Sequence, residues 1–154
     1  TLLSGGVALA QGAEIAFGGL TQDTSLPVEV AADRLQIDPA DGAATFSGNV
    51  KISQGEMTLT AGEARVIYAK DGAASGEIQE LRATQGVTLV NGAEAAEAQE
   101  AVYSIDDGTV VMTGDVILTQ GQNALSSNRL VIDLKTGTGT LDGRVRTIFQ
   151  PGNP

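Results

Sequence analysis

Histidine, cysteine and tryptophan are absent from this chain of 154 residues. Because general bases, thiol nucleophiles and most zinc sites use imidazole or thiolate groups, these absences exclude much of enzyme chemistry. Aromatic residues make up only 3% of the chain, so a core built from its 42% hydrophobic residues must be aliphatic. The chemistry that remains is that of carboxylate or hydroxyl groups, or none, and our expectation is a protein with no cofactor, no metal ion and no catalytic residue.

Positive charge is also scarce, since 9 basic residues stand against 19 acidic ones and give a net charge of −10. An acidic surface repels phosphate groups, so nucleic acid is not an expected partner. Beyond the first ten residues, no apolar run approaches the ~20 residues that a membrane-spanning helix needs.

The N-terminal segment bears on cellular location. Residues 1–10, TLLSGGVALA, end in the small-x-small sequence Ala8-Leu9-Ala10 and resemble the tail of a secretory signal peptide. The alternative is a flexible glycine-rich leader. We expect an exported protein in which residues 11–25 form a loosely ordered arm, residues 26–150 the folded domain and residues 151–154 a C-terminal tail.

The chain contains an internal repeat. One set of residues recurs in the same order and spacing: Asp41-Gly42, Gly48, Val50 and Gln54-Gly55 correspond to Asp107-Gly108, Gly114, Val116 and Gln120-Gly121. A small-x-x-apolar-x-apolar element begins at four positions: Ala32, Ala61, Ala98 and Ser127. The chain therefore consists of about four copies of a two-strand unit.

Apolar and polar residues alternate within these units, which predicts β strands. Phe46, Val50 and Ile52 share one face of a strand with Gly48, where we expect a bend or a close backbone approach. Turn sequences separate the strands: 38–42, 54–55, 70–72, 91–92, 106–108 and Gly121. Short antiparallel strands at this spacing predict a sandwich, a jelly roll or an open barrel.

One segment departs from this pattern. Residues 93–101, AEAAEAQEA, are rich in alanine and glutamate, which favour a helix. Their position in the repeat predicts a strand, and we follow the repeat.

Two kinds of motif offer chemistry but have a simpler interpretation. Asp38 with Asp41, and Asp106 with Asp107, carry oxygen ligands suited to calcium, yet they lie in predicted turns, where aspartate is common. Residues 137–143, GTGTLDG, have the wrong spacing for a phosphate-binding loop and precede a strand pattern instead of a helix.

The apolar face of the strands remains as a candidate site. In one interpretation two sheets close on it and form a dry core. In the other, the sheets splay apart and leave an aliphatic trough. Periodicity does not separate the two, although most such faces are packed.

Four stretches carry a family resemblance: residues 27–33 (PVEVAAD), 45–55 (TFSGNVKISQG), 110–116 (VVMTGDV) and 144–147 (RVRT). They resemble the LptA/OstA family of periplasmic lipopolysaccharide-transport proteins. Some members of that family carry a membrane anchor or a long outer-membrane barrel. Since this chain shows neither, it is similar to the free periplasmic bridge member.

The resemblance implies a β-jelly-roll of two antiparallel sheets opened into a V-shaped groove. Acyl chains of lipopolysaccharide would lie inside the groove, and the sugars would stay in water. The resemblance and the apolar pattern together give the expected groove residues: Val28, Val30, Leu35, Ile37, Phe46, Val50, Ile52, Leu59, Leu89, Tyr103, Ile105, Met112, Val116 and Leu118.

The resemblance also implies assembly at the two edges of the domain. Copies would stack end to end, with an inner-membrane-anchored relative at the N-terminal edge and an outer-membrane translocon at the C-terminal edge. Edge strands offer backbone groups for strand addition. The expected edge residues are Pro27, Val28, Val145, Thr147, Ile148 and Phe149.

Two functional hypotheses remain open at this stage. The favoured one is a periplasmic conduit that binds and passes lipopolysaccharide without turnover. Its rival is a structural or adhesive β-repeat domain with a closed core and no ligand. A carboxylate hydrolase is a distant third, because no acidic residue stands apart from the repeated turns.

Overall fold

Antiparallel strands make up the regular structure of the residues that the computed structural model describes, which are 13–16, 25–40, 42–69 and 78–148. The strands are β1 (Ala13–Ala16), β2 (Glu29–Ala31), β3 (Arg34–Ile37), β4 (Ala44–Gln54), β5 (Met57–Tyr68), β6 (Ile78–Thr84), β7 (Val87–Asn91), β8 (Glu94–Ala98), β9 (Glu100–Ser104), β10 (Thr109–Gln120), β11 (Asn123–Asp133), β12 (Thr138–Asp142) and β13 (Arg146–Ile148). No helix occurs in these ranges, so the predicted all-β class is confirmed.

The structure has two sheets, and four long strands take part in both. One half of each of these strands, β4, β5, β10 and β11, lies in sheet I and the other half in sheet II. Sheet I has the order β3-β4-β5-β6-β9-β10-β11-β12-β1. Sheet II has the order β2-β4-β5-β7-β8-β10-β11-β13. Every pairing is antiparallel, which confirms the predicted two-sheet jelly roll built from repeated strand pairs.

The chain passes between the two sheets at a corner rich in left-handed residues. Gly48 and Gly114 have φ angles of 82° and 89°, and the residues after them, Asn49 and Asp115, have φ angles of 50° and 49°. The register of β4 and of β10 shifts at these points, as in a β-bulge. The bend that the Gly-x-Val element predicts is therefore confirmed.

Close packing across the corner requires glycine at these positions. The backbone nitrogen of Asp33 donates to the Gly48 carbonyl at 2.9 Å, and that of Gln99 donates to the Gly114 carbonyl at 3.0 Å. A Cβ atom on Gly114 would lie 2.8 Å from the Cβ of Gln99. Successive units thus bend along one line, and this line is the apex of the V.

Turns lie at the opposite side, which we call the mouth of the V. Residues 54–55, 91–92, 106–108 and 121 form the predicted turns, with positive φ at each glycine. The Gly42 nitrogen donates to the Asp38 carbonyl at 2.8 Å, while Asp41, within the predicted turn 38–42, lies outside the described residues. The predicted turn at 70–72 lies outside the described residues.

Two segments bear on the expectations from sequence. Residues 93–101 contribute β8 and the start of β9, so following the repeat was right and the helical composition was misleading. Alanine is tolerated there because Ala96, Ala98 and Ala101 face the interior, where a small side chain fits. We expected residues 11–25 to form a loosely ordered arm. Within this range Ala13–Ala16 instead forms β1, whose backbone pairs with the edge of β12.

Candidate functional site

The inward faces of sheets I and II pack against each other and form an aliphatic interior. Most of the residues expected to line a groove are fully buried there: Val50, Ile52, Leu59, Leu89, Tyr103, Met112, Val116 and Leu118. Period-two alternation directs these side chains to one face, as the sequence predicts. The structure brings them together, and their contact with lipid stays a prediction.

The interior is open to solvent at the β3 end of sheet I. Leu35 and Ile37 are 53% and 55% exposed, although they pair with Phe46 and Ala44 on the inward face of β4. The short strand β2 leaves this end uncovered, since it forms the last strand of sheet II among the described residues. The other expected groove residues are partly buried near the core: Val28, Val30, Phe46 and Ile105.

A buried polar contact joins the two sheets near the mouth. The hydroxyl of Tyr103, on β9 of sheet I, donates a hydrogen bond to Oε1 of Gln54, at the end of β4 in sheet II. The amide Nε2 of Gln54 donates in turn to the Leu26 carbonyl at 2.9 Å. Both side chains are almost fully buried, so this contact holds the sheets together where the V would otherwise open.

Burial raises the pKa of Tyr103 to about 12, against a smaller opposing effect of its hydrogen bond to Gln54. Since the folded protein favours the neutral phenol, this stabilisation is complete below pH ~10 and is lost as the pH rises towards 12. We expect the free energy of unfolding to fall by up to ~3 kcal/mol over that range from this group. Urea unfolding of Tyr103→Phe should lack this part of the fall, and an identical pH profile for the two proteins would contradict the prediction.

A row of mostly polar side chains follows the mouth of sheet II, and we call it the rim row. Its members are consecutive cross-strand neighbours: Gln54, Met57, Asn91, Glu94, Gln120 and Asn123. Gln54 and Asn91 are 1% and 3% exposed, so both point into the interior.

The rim row was not predicted from the sequence, because Gln54 and Asn91 were interpreted only as turn residues and Gln120 only as part of the repeat. A signal was available in the alternation of each strand. Counting by twos from Ile52, Leu89 and Leu118 puts these three amides on the apolar face. An amide before a turn glycine, on the inward face of three separate hairpins, indicates more than turn formation.

The expected assembly residues lie at two different ends of the sheets. Pro27 and Val28 precede β2, which pairs with β4 alone among the described strands. Thr147 and Ile148 lie on β13, which pairs with β11, and Ile148 is 58% exposed. Val145 packs partly against the core. Phe149 lies outside the described residues, and assembly through these edges stays a prediction.

Two further kinds of feature are absent from the described ranges. These ranges contain no cluster of three or more acidic side chains arranged to hold a metal ion. They contain no helix long and apolar enough to cross a membrane.

The fold and its interior define a class of protein: a two-sheet antiparallel β-jelly roll with an aliphatic inner face. A family profile for "LptA/(LptD N-terminal domain) LPS transport protein" matches residues 29–138. The chain belongs to this family of lipopolysaccharide-transport proteins, which confirms the resemblance found in the sequence.

Two individual proteins are similar to this chain, one in sequence and one in fold. An uncharacterized protein of Rhizobium meliloti (strain 1021) is 31% identical over 152 residues, covering 94% of this chain and 82% of that protein. The crystal structure of LptH, the LptA-homologous periplasmic component of the lipopolysaccharide transport device of Pseudomonas aeruginosa, superimposes with a TM-score of 0.73. It is 18% identical, and the match covers 84% of this chain and 99% of LptH, so it supports the fold.

Proposed function

We propose that this protein binds lipopolysaccharide through its acyl chains and passes it across the periplasm from the inner to the outer membrane, without chemical turnover. The observation that carries the proposal is the exposed inner face at Leu35 and Ile37. There the aliphatic interior continues to the surface at one end of the V. An acyl chain can therefore meet the same apolar face that forms the core.

Burial of acyl chains supplies enough free energy for this binding. Each methylene group removed from water contributes ~0.8 kcal/mol. Burial of one acyl chain therefore offsets the free energy lost when several contacts between the sheets separate. The side chains of the interior are mainly Val, Leu, Ile, Met and Ala. Such a surface has few directional contacts, which favours sliding over tight capture. The head group can remain in water, so the net charge of −10 does not oppose binding.

The sheets must separate at the mouth for acyl chains to enter. The apex is fixed by the corner contacts of Gly48 and Gly114, so we infer that opening occurs by rotation about this line. The hydrogen bond between Tyr103 and Gln54 would break in the open form. A buried hydrogen bond contributes ~1 kcal/mol net, which the burial of two methylene groups offsets.

The proposal includes assembly and export. Copies would stack head to tail, with the β2 and β3 end of one against the β13 end of the next. An inner-membrane-anchored relative would take the first position and an outer-membrane translocon the last. Residues 1–10, outside the described ranges, would act as the end of an export signal.

Site-specific photo-crosslinking in cells tests the proposal. A crosslinking residue at Ile52, which faces the interior, should capture lipopolysaccharide, as should one at Val30 or Tyr103. Lys51 is the matched control, because it neighbours Ile52 on β4 but is exposed on the outer face. Capture should be at least tenfold greater at Ile52. Absence of adducts at all three inward positions, or equal capture at Lys51, would refute the proposal.

A second candidate function is a structural β-repeat domain with no ligand. The observation that favours it is the complete burial of Leu89, Met112 and Leu118, each 0% exposed. On this interpretation the interior never opens. The same crosslinking experiment separates the two candidates, because a permanently closed core gives no lipid adduct at Ile52.

A further inference from the structure

The rim row occupies the boundary between the apolar interior and the solvent. The register joins Met57 to Asn91, Asn91 to Glu94 and Glu94 to Gln120 as direct neighbours on one face of sheet II. Neighbouring strands lie ~4.8 Å apart, so the six members of the row extend over ~24 Å along the axis of the sheets. A lipid whose chains lie in the interior would place its polar linkages at this depth.

Two polar atoms in the middle of the row are buried without a partner. They are Nδ2 of Asn91 and Oε1 of Glu94. Asn91 as a whole is only 3% exposed. The other carboxylate oxygen of Glu94 is satisfied, because Nε2 of Gln120 donates to it at 2.9 Å. Buried groups are rarely left unpaired, since their lost hydration is not replaced. The unpaired atoms of Asn91 and Glu94 can therefore bind a polar group of a ligand, which the chain itself does not supply.

The chemistry of the two atoms specifies that group. Nδ2 of Asn91 is a donor and Oε1 of Glu94 is an acceptor, and they belong to cross-strand neighbours. A hydroxyl group both accepts and donates, so one hydroxyl can satisfy both atoms. An ester group only accepts, so it can pair with Asn91 but leaves the carboxylate oxygen of Glu94 unsatisfied.

We propose that Asn91 and Glu94 form a binding site for a hydroxyl group on an acyl chain, close to where the chain joins its sugar. The inference rests on the proposed function, because it assumes that acyl chains enter the interior. It adds a basis for selection: a glycolipid with hydroxylated acyl chains binds in preference to a phospholipid with plain ester-linked chains. Selection arises because the plain chain leaves a buried carboxylate oxygen without a donor.

A pair of neutral ligands that differ by this hydroxyl alone tests the inference. Methyl 3-hydroxytetradecanoate and methyl tetradecanoate can each compete with a fluorescent lipid for the purified full chain. We expect the hydroxylated ester to bind ~10-fold more tightly, which corresponds to ~1.4 kcal/mol. In Glu94→Leu and Glu94→Ala the acceptor for the hydroxyl group is removed, and the preference should fall below twofold. Thr119→Val is the matched control, because Thr119 is exposed on the outer face of sheet II, and it should keep the full preference.

The outcomes separate this inference from the proposed function. If both esters bind with equal affinity to the natural chain, the hydroxyl site is refuted while lipid binding stands. If neither ester nor lipopolysaccharide binds, the proposed function fails and the inference fails with it. A purely structural role for Glu94 predicts that both variants unfold at a lower temperature and that Glu94→Ala keeps the preference. That result would also refute the site, because water or a neighbouring side chain would then be the partner.

Discussion

Gly114→Ala should lower the free energy of unfolding by ~3 kcal/mol, a large change for so small a side chain. The φ angle of Gly114 is 89°, in a region that costs an L-residue ~1–2 kcal/mol. The added Cβ would also lie 2.8 Å from both Cβ and Oε1 of Gln99, and relieving such a clash costs a further ~1–3 kcal/mol. Urea unfolding followed by circular dichroism measures the change.

Gly121→Ala is the matched control for this experiment. Gly121 also has a positive φ, 60°, but a Cβ there meets no atom within 4 Å. We expect a loss of ~1 kcal/mol from the backbone conformation alone. Equal losses in the two variants would mean that the close approach at the corner is not what requires glycine, and the role assigned to the apex would be wrong.

Replacing Leu35 with aspartate should strongly weaken the proposed head-to-tail self-association while leaving the fold intact. Leu35 is 53% exposed, so a charge is tolerated in the isolated chain. In a head-to-tail contact it would become buried against the next copy, where an unpaired carboxylate costs several kcal/mol. We expect the dissociation constant of the assembly to rise by ~100-fold or more, as measured by sedimentation equilibrium. Ile148→Asp at the other end should have the same effect.

Mixing the two variants provides the sharpest test of a head-to-tail contact. Leu35→Asp keeps an intact β13 end, and Ile148→Asp keeps an intact β3 end, so the mixture should form a heterodimer although neither variant assembles alone. Val90→Asp, at an exposed apolar position on β7 in the middle of sheet II, should assemble normally. A mixture that remains monomeric, or a natural chain that is monomeric at every concentration, would contradict the proposed assembly.

The repeat, together with the alternation of apolar and polar residues, was enough to predict most of the strands and the corner. Gly48 and Gly114 occupy equivalent places in the repeat, and both lie where a long strand passes between the sheets. The repeat also gave the right result for residues 93–101, where composition alone favours a helix. Position in a repeat is more informative there because cross-strand packing decides the conformation of short segments, whereas intrinsic propensity contributes only a few tenths of a kcal/mol per residue.

Other features depend on contacts between distant residues, which periodicity does not contain. The hydrogen bond between Tyr103 and Gln54 joins different sheets, and nothing local to either residue predicts it. The exposure of Leu35 follows from the shortness of the facing strand β2, not from its own sequence. The packed state of the interior likewise depends on the angle between the sheets. For these reasons the sequence predicts which residues face inward but not how far the sheets stand apart.

Because all units bend along the same line, the domain can change in length by whole units. Each unit adds two strands to sheet I and two to sheet II, and its bend falls on the same line as the bends before it. Duplicating a unit would therefore extend the axis by ~10 Å without altering the cross-section. Deleting one would shorten it by the same amount. Genetic duplication or loss of whole units thus offers a way to change the length of domains of this kind while the aliphatic interior keeps the same shape.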